Sequence, residues 1–281
     1  MRRTVAAAAG LPALLAVWLL ASGCRTEPRA AAAGMNLLVI TLDTTRADAL
    51  GLYGNKNEVS PEIDRLGRTG IVFKECYTPA PLTLPAHCSL FTGKYPIAHQ
   101  VRNNGTYVLP DSERTMARVL KEQGYETAAV VASFTLAAKF GLAQGFDTYD
   151  EDFEGGRSIL NFTAEIPADK VYEKFTRWLG HRTAQKFFCW LHFYDAHSPY
   201  LPHGPAAGAG GPSPWSLYEG EVRFVDSYVG RIVQTLKDAG LYENTLIVIV
   251  GDHGEAFGEH KERGHGIFCY GESLRVPLVL H

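Results

Sequence analysis

Residues 83 to 93 read TLPAHCSLFTG, and Thr83, Cys88 and Ser89 within them each carry an atom able to attack an electrophile. The three would make different enzymes. None reacts well until a base takes its proton or a metal lowers its pKa. Candidates for that help lie far away in the chain: NLLVITLD ends at Asp43, and NTLIVIVGDHG delivers Asp252 and His253. Two carboxylates and an imidazole suit one divalent ion such as Mn, Zn or Mg, and the nitrogen ligand makes Ca a poorer match. The plainer alternative is that Asp43 caps a turn and that Asp252-His253-Gly254 is a loop.

The elements that must bring these groups together follow from the hydrophobic pattern. NLLVITLD (36–43), ETAAVVA (126–132), KFFCWLHF (186–193) and NTLIVIVGD (244–252) are continuous apolar runs, as expected of strands buried on both faces. Helical patterns lie between them. Ser60-Pro61 reads as a cap and first turn, and further helices are expected over Asp111–Gln123, Ala168–Leu179 and Leu217–Ala239. Strands alternating with helices predict an α/β fold, with a mainly parallel sheet covered on both faces. Ligands of such sheets gather beyond the carboxyl ends of the strands, where Asp43 and Asp252 stand. Residues 202–214, PHGPAAGAGGPSP, predict a surface loop near the site.

Composition narrows the partners. The 281 residues are 46% hydrophobic and 20% charged, ordinary for one large domain, and a net charge of −3 without basic runs offers nothing to nucleic acid. Arg2-Arg3, the apolar run Val5–Ala21 and the ending Ser22-Gly23-Cys24 read as a secretory signal over residues 1–24. A lipid anchor on Cys24 is favoured over plain cleavage or a retained membrane anchor, although Ala21 stands where Leu is more usual in a lipobox. Residues 25–34 would then be a tether, and the protein would sit at the cell envelope or in the periplasm. Cys76, Cys88, Cys189 and Cys269 contain no CxxC pair, which removes zinc-ribbon readings and leaves any disulfide pairing open.

At this point the chain resembles the sulfatase family of the alkaline phosphatase superfamily, over nearly all of residues 36–280. LDTTRADALGLYG resembles the family's metal-binding first strand and turn, and SLFTGKYPIAHQVRNNG the region after its nucleophile. GFDTYD, HFYDAHSPY and GDHGEAFGEHKERGHG…RVPLVLH are similar to later family blocks in the same order. The resemblance implies a catalytic domain over 35–281 that lacks the smaller C-terminal subdomain into which relatives continue. It places Thr83 at the nucleophile position, where the family uses a Cys or Ser matured to formylglycine. Pro85 falls on the family proline, His87 on its arginine, His197 on a substrate histidine and His265 on a lysine.

Threonine cannot become formylglycine, so the resemblance implies attack by the Thr83 hydroxyl itself, metal-activated, as in superfamily members that act on phosphorus. Thr44 replaces a second family carboxylate, and ASFTLAAKFGLAQGFD replaces the block with the usual sulfate-binding residues. The expected activity is metal-dependent hydrolysis of an anionic sulfate or phosphate ester, with phosphorus favoured. The expected metal set is Asp43, Thr83, Asp252 and His253, holding one ion, and the expected catalytic set is Thr83, His87, His197 and His265. Asp195 or His260 could serve a second ion, while His192 and His203 are left outside the site. The alternatives are an envelope phosphoglycerol- or phosphoethanolamine-type transferase and a non-catalytic binding protein. Oligomeric state is open. In a Gram-negative host the chain is expected to partition with membranes, and Cys24→Ser to alter its processing on immunoblots; an unprocessed cytosolic wild type would refute the export signal.

Overall fold

Asn36–Leu42 (β1) runs through the middle of the sheet with parallel neighbours on both sides, and the rest of the fold is arranged about it. The computed structural model describes residues 34–154, 164–203 and 213–281. The expected signal, the tether apart from Gly34, and loop residues 204–212 lie outside the described residues. In chain order the further strands are β2 (Ile71–Val72), β3 (Glu126–Val130), β4 (Thr148–Asp150), β5 (Phe187–Phe193), β6 (Thr245–Gly251), β7 (Ala256–Phe257), β8 (Arg263–Gly264) and β9 (Leu278–Leu280). The helices are α1 (Pro61–Thr69), α2 (Thr83–Thr92), α3 (Pro96–His99), α4 (Met116–Glu122), α5 (Ala168–His181), α6 (Pro214–Asp238) and α7 (Gly271–Leu274). The sheet order is β2-β9-β6-β1-β5-β3-β4, with β9 alone running against the rest and so antiparallel to both β6 and β2, and β7 and β8 form a separate hairpin.

Strand periodicity divides the core in two. Leu38, Ile40 and Leu42 of β1, with Phe187, Cys189, Leu191 and Phe193 of β5, face a layer built from α1, α5 and α6. Val39, Phe188 and Trp190 face the opposite layer, where Leu84, Cys88 and Phe91 of α2 pack with Ala117 of α4. All seven residues of β5 are buried, as its unbroken apolar run requires. The mainly parallel α/β architecture is therefore as expected. Cys76, Cys88, Cys189 and Cys269 are free thiols. No helix among the described residues is long and apolar enough to cross a membrane.

Element boundaries depart from expectation where local capping competes with periodicity. The helix expected from Asp111 begins at Met116, because Thr115 stays extended and its side chain accepts the Arg118 N–H. The helix expected from Leu217 begins at Pro214, capped by the Ser213 hydroxyl on the Ser216 N–H. Ser60 does not cap α1: its Oγ accepts from Gly51 N and donates to Asp64. The free N–H groups of Glu62 and Ile63 are taken instead by Asp226 of α6, at 3.0 and 2.8 Å. Replacing a capping side chain with alanine costs about 0.5–2 kcal/mol. Asp226→Ala is accordingly expected to lower the urea midpoint with an unchanged slope, and Asp226→Asn to lower it less; identical midpoints for Asp226→Ala and wild type would mean that water serves these N–H groups equally well.

Candidate functional site

The strands bring Asp43, Asp252 and His253 to the carboxyl edge of β1 and β6, and α2 starts opposite them. Leu82 is extended (φ −148°, ψ 137°) and Thr83 is the first helical residue, buried to 1% exposure. Pro85 sits in the first turn, where no N–H is needed. The Leu84 N–H is accepted by Asn104 Oδ1 at 2.8 Å, so a turn beyond α3 caps the helix that carries Thr83.

His87 lies one turn along α2 and is fully buried. Its Nδ1 is 2.7 Å from the Thr83 carbonyl, which can only accept, so Nδ1 carries the proton. Nε2 then accepts from Thr41 Oγ1 at 3.0 Å, and Thr41 in turn accepts the Trp190 indole N–H at 2.9 Å. Burial, and then the neighbouring His192, push the His87 pKa down to about 3. Both ring nitrogens thus have protein partners, and the ring braces the backbone of Thr83 from beneath. Its expected place among substrate-contacting histidines finds no free nitrogen to serve it.

The two acidic strand ends are each half satisfied. Asp252 Oδ1 accepts the backbone N–H groups of Thr44 and His253 at 3.1 and 2.7 Å, while Oδ2 is buried without a hydrogen-bond partner. Asp43 Oδ2 lies 3.2 Å from His192 Nε2, while Oδ1 is likewise buried and bare. The Ala132 N–H approaches His192 Nδ1 at 3.3 Å, so His192 holds its proton on Nε2 and donates it to Asp43. Burial raises the pKa of both carboxyls, and at Asp252 the nearby Asp43 adds to it. His253 donates Nδ1–H to the Gly254 carbonyl at 3.0 Å, which leaves the Nε2 lone pair facing Asp252 Oδ2 at 3.5 Å and Asp43 Oδ1 at 3.9 Å. Thr83 Oγ1 is 3.4 Å from the same nitrogen. The loop is closely packed: a Cβ on Gly254 would fall 1.9 Å from the Glu272 carbonyl oxygen.

Two bare anionic oxygens, an imidazole lone pair and a hydroxyl therefore converge in a buried space. Asp43, Asp252 and His253 offer ligand atoms within 4.8 Å of one another. This donor set fits a divalent cation, which would satisfy the two orphaned oxygens and draw both pKa values back down. His192 also forms a close group with His87 and Asp252, although its proton is directed at Asp43. His192 was left outside the site by sequence; it enters because it pairs with Thr41 in register, on the strand face shared with Trp190. Asp195 caps α5 through Ala168 N at 3.0 Å, and His260 stacks on Tyr270 with Glu272 3.7 Å away; neither belongs to the converging set.

The remaining histidines form one wall. His197 donates Nδ1–H to the Ser198 carbonyl at 2.7 Å and stacks on Tyr194. Burial lowers its pKa. His265 lies against both His253 and His197, with ring centroids 4.4 and 5.1 Å apart. Its Nδ1 is 3.1 Å from Glu255 Oε1. Burial opposes a charge on His265, but the Glu255 carboxylate outweighs it and the pKa is raised. Elsewhere, His203 pairs with Glu221, Cys88 is buried with its thiol pushed up to about 12, and Ser89 is paired with His99 at 2.9 Å. Of the three candidate nucleophiles, Thr83 alone meets the carboxylates and His253.

A family model described as Sulfatase matches residues 35–281. The chain is 27% identical to N-acetylgalactosamine-6-sulfatase of Canis lupus familiaris, over 98% of this chain and 61% of that protein. It is 38% identical to steryl-sulfatase of Mus musculus, over 87% of this chain and 57% of that protein. The fold superposes on the phosphonate monoester hydrolase of Agrobacterium radiobacter with a TM-score of 0.69 and 23% identity, covering 88% of this chain and 68% of that one. The chain thus spans about three fifths of the length of these curated relatives.

Metal binding gives a direct check on the site. Asp252→Asn is expected to abolish tight binding of Mn²⁺ or Zn²⁺ in titration calorimetry. His192→Phe is expected to weaken it by about 10–100-fold, the usual effect of removing a group that orients a ligand. Wild-type affinity in Asp252→Asn would refute the assignment.

Proposed function

Since the chain belongs to the sulfatase family, whose members hydrolyse sulfate and phosphate esters, we propose that it is a metal-dependent ester hydrolase in which Thr83 is the nucleophile and phosphorus esters are favoured. The observation that carries this reading is the approach of Thr83 Oγ1 to His253 Nε2, beside the bare oxygens of Asp43 and Asp252. Asp43, Asp252, His253 and Thr83 would hold a divalent ion, which would supply positive charge to favour the ionised hydroxyl and the charge that develops on the ester.

The residues perform the rest. Asn104 and His87 hold the start of α2 so that Thr83 Oγ is fixed toward the site. Thr83 Oγ, its hydroxyl proton first released to solvent, attacks phosphorus as the alkoxide, the bond to the leaving oxygen breaks, and that oxygen takes a proton from His265 Nε2. His265 Nδ1–H is committed to Glu255, so a proton on Nε2 makes the ring cationic, the state that the buried carboxylate favours. His197 is kept neutral by burial and has Nδ1 occupied, so Nε2 is left for a substrate oxygen. Water then gives a proton to His265 Nε2 and its oxygen bonds to phosphorus, while the bond from phosphorus to Thr83 Oγ breaks and Oγ leaves as the alkoxide. The reading extends to location: Arg2-Arg3, the apolar run and Cys24 support export and lipid anchoring at a bacterial envelope.

The test compares a phosphodiester or phosphonate monoester with the sulfate ester of the same leaving group, with the chain loaded with Mn²⁺. The phosphorus ester is expected to be cleaved at least about tenfold faster, a barrier difference of about 1.4 kcal/mol. Thr83→Ala should remove this turnover while the circular dichroism stays unchanged. A preference for sulfate, or a Thr83→Ala variant that still turns over, would overturn the mechanism.

A further inference from the structure

Glu255 is absent from the catalytic set expected from sequence, yet it is a carboxylate only 1% exposed at the wall of the site. Burying an acid there is costly unless its oxygens are bound, and both are. Oε1 takes His265 Nδ1–H at 3.1 Å, and Oε2 takes the Tyr200 hydroxyl at 3.2 Å. Its backbone carbonyl accepts from Arg46 Nη1 at 3.1 Å. That guanidinium is fixed by Asp48 and Glu259, each at 2.7 Å, and lies 5.0 Å over the Trp215 ring. The carboxylate therefore stands on a rigid base and reaches two separate segments of the site.

We propose that Glu255 is a positioning residue: it fixes the tautomer of His265 so that Nε2 faces the departing oxygen, and it tethers the loop bearing His197 through Tyr200. The inference rests on the proton-donor role given to His265 above. The physical need comes from the residue type. A lysine, which the family resemblance would put at position 265, presents its charge without a tautomer to set. A histidine has two nitrogens, and the one that enters the site is decided by the partner of the other. Gln can replace Glu in this task, because its carbonyl oxygen still accepts from His265 Nδ1–H and its amide can donate to Tyr200.

Two measurements on the full chain test the proposal. In long-range ¹H–¹⁵N spectra of metal-free protein, His265 should show a protonated Nδ1 in wild type and in Glu255→Gln, and a tautomer mixture in Glu255→Ala. In Mn²⁺-loaded protein, Glu255→Ala should lose at least about tenfold more kcat with a phenyl phosphonate ester than with the 4-nitrophenyl ester, because only the poorer leaving group depends on proton donation. KM should change little, and Glu255→Gln, which keeps the acceptor for Nδ1–H but not the charge that favours the cation, should recover the phenyl ester rate only as the pH is lowered. Equal losses with both esters, a His265 tautomer mixture in Glu255→Gln, or an unchanged His265 tautomer in Glu255→Ala would overturn it. A wild type that cleaves neither ester would defeat the proposed function, while the spectra alone would still decide whether Glu255 sets the ring.

Discussion

Two like charges are buried side by side where β1 and β6 end, and the architecture around them serves to hold that arrangement. At the separation allowed here, within 4.8 Å, two carboxylates repel by about 3 kcal/mol even at an effective dielectric of 20. Each is steadied on one oxygen only: Asp43 by His192, Asp252 by two backbone N–H groups. The opposite oxygens are left bare and aimed at the same space. Such an arrangement is costly as an empty feature and sensible as half of a cation site. The centre of a parallel sheet is well suited to it, because neighbouring strand ends arrive together and the hydrogen-bonded ladders fix their spacing.

The histidines share a design. In His87, His197 and His253, Nδ1–H is bound to a backbone carbonyl no more than four residues away, and in His265 it is bound to Glu255. Three of these partners are local in sequence, so ring orientation is set by loop and helix geometry without reliance on distant packing. His192 is reversed: a backbone N–H occupies Nδ1, and Nε2 carries the proton to Asp43. One residue type thus serves as brace, carboxylate holder, lone-pair donor and partner of a buried carboxylate, according to which nitrogen its neighbours occupy. Thr83 gains from the same economy, since the ring beneath it and the Asn104 cap beside it both act on the first turn of α2.

Asp43, Asp252 and His253 were legible in the sequence because each interrupts an apolar run at a strand end, the place where parallel sheets collect their ligands. His192 was not, because it lies inside FFCWLHF, where apolar neighbours mask it. Its place depends on register, Thr41 opposite His192, which no single segment reveals. Glu255 and Asn104 were hidden for a related reason: their partners are 10 and 20 residues away across turns. The parallel fold was legible from the runs themselves, since strands buried on both faces admit few alternatives. Helix starts were less so, because Thr115, Ser213 and Asp226 decide them through caps, and the Asp226 cap comes from another helix.

The sheet also has two borders. On one side it finishes in the two-residue β2, on the other in the three-residue β4. Open strand borders recruit strands from other molecules, and the length of free ladder sets how well they do so. With only two or three residues of ladder at each side, a second chain would find few backbone groups to pair with. Ile71, 60% exposed on β2, adds a small apolar foothold there. Self-association by strand addition is therefore weakly templated at both borders, and β2 is the side where a charged residue would do most to discourage it.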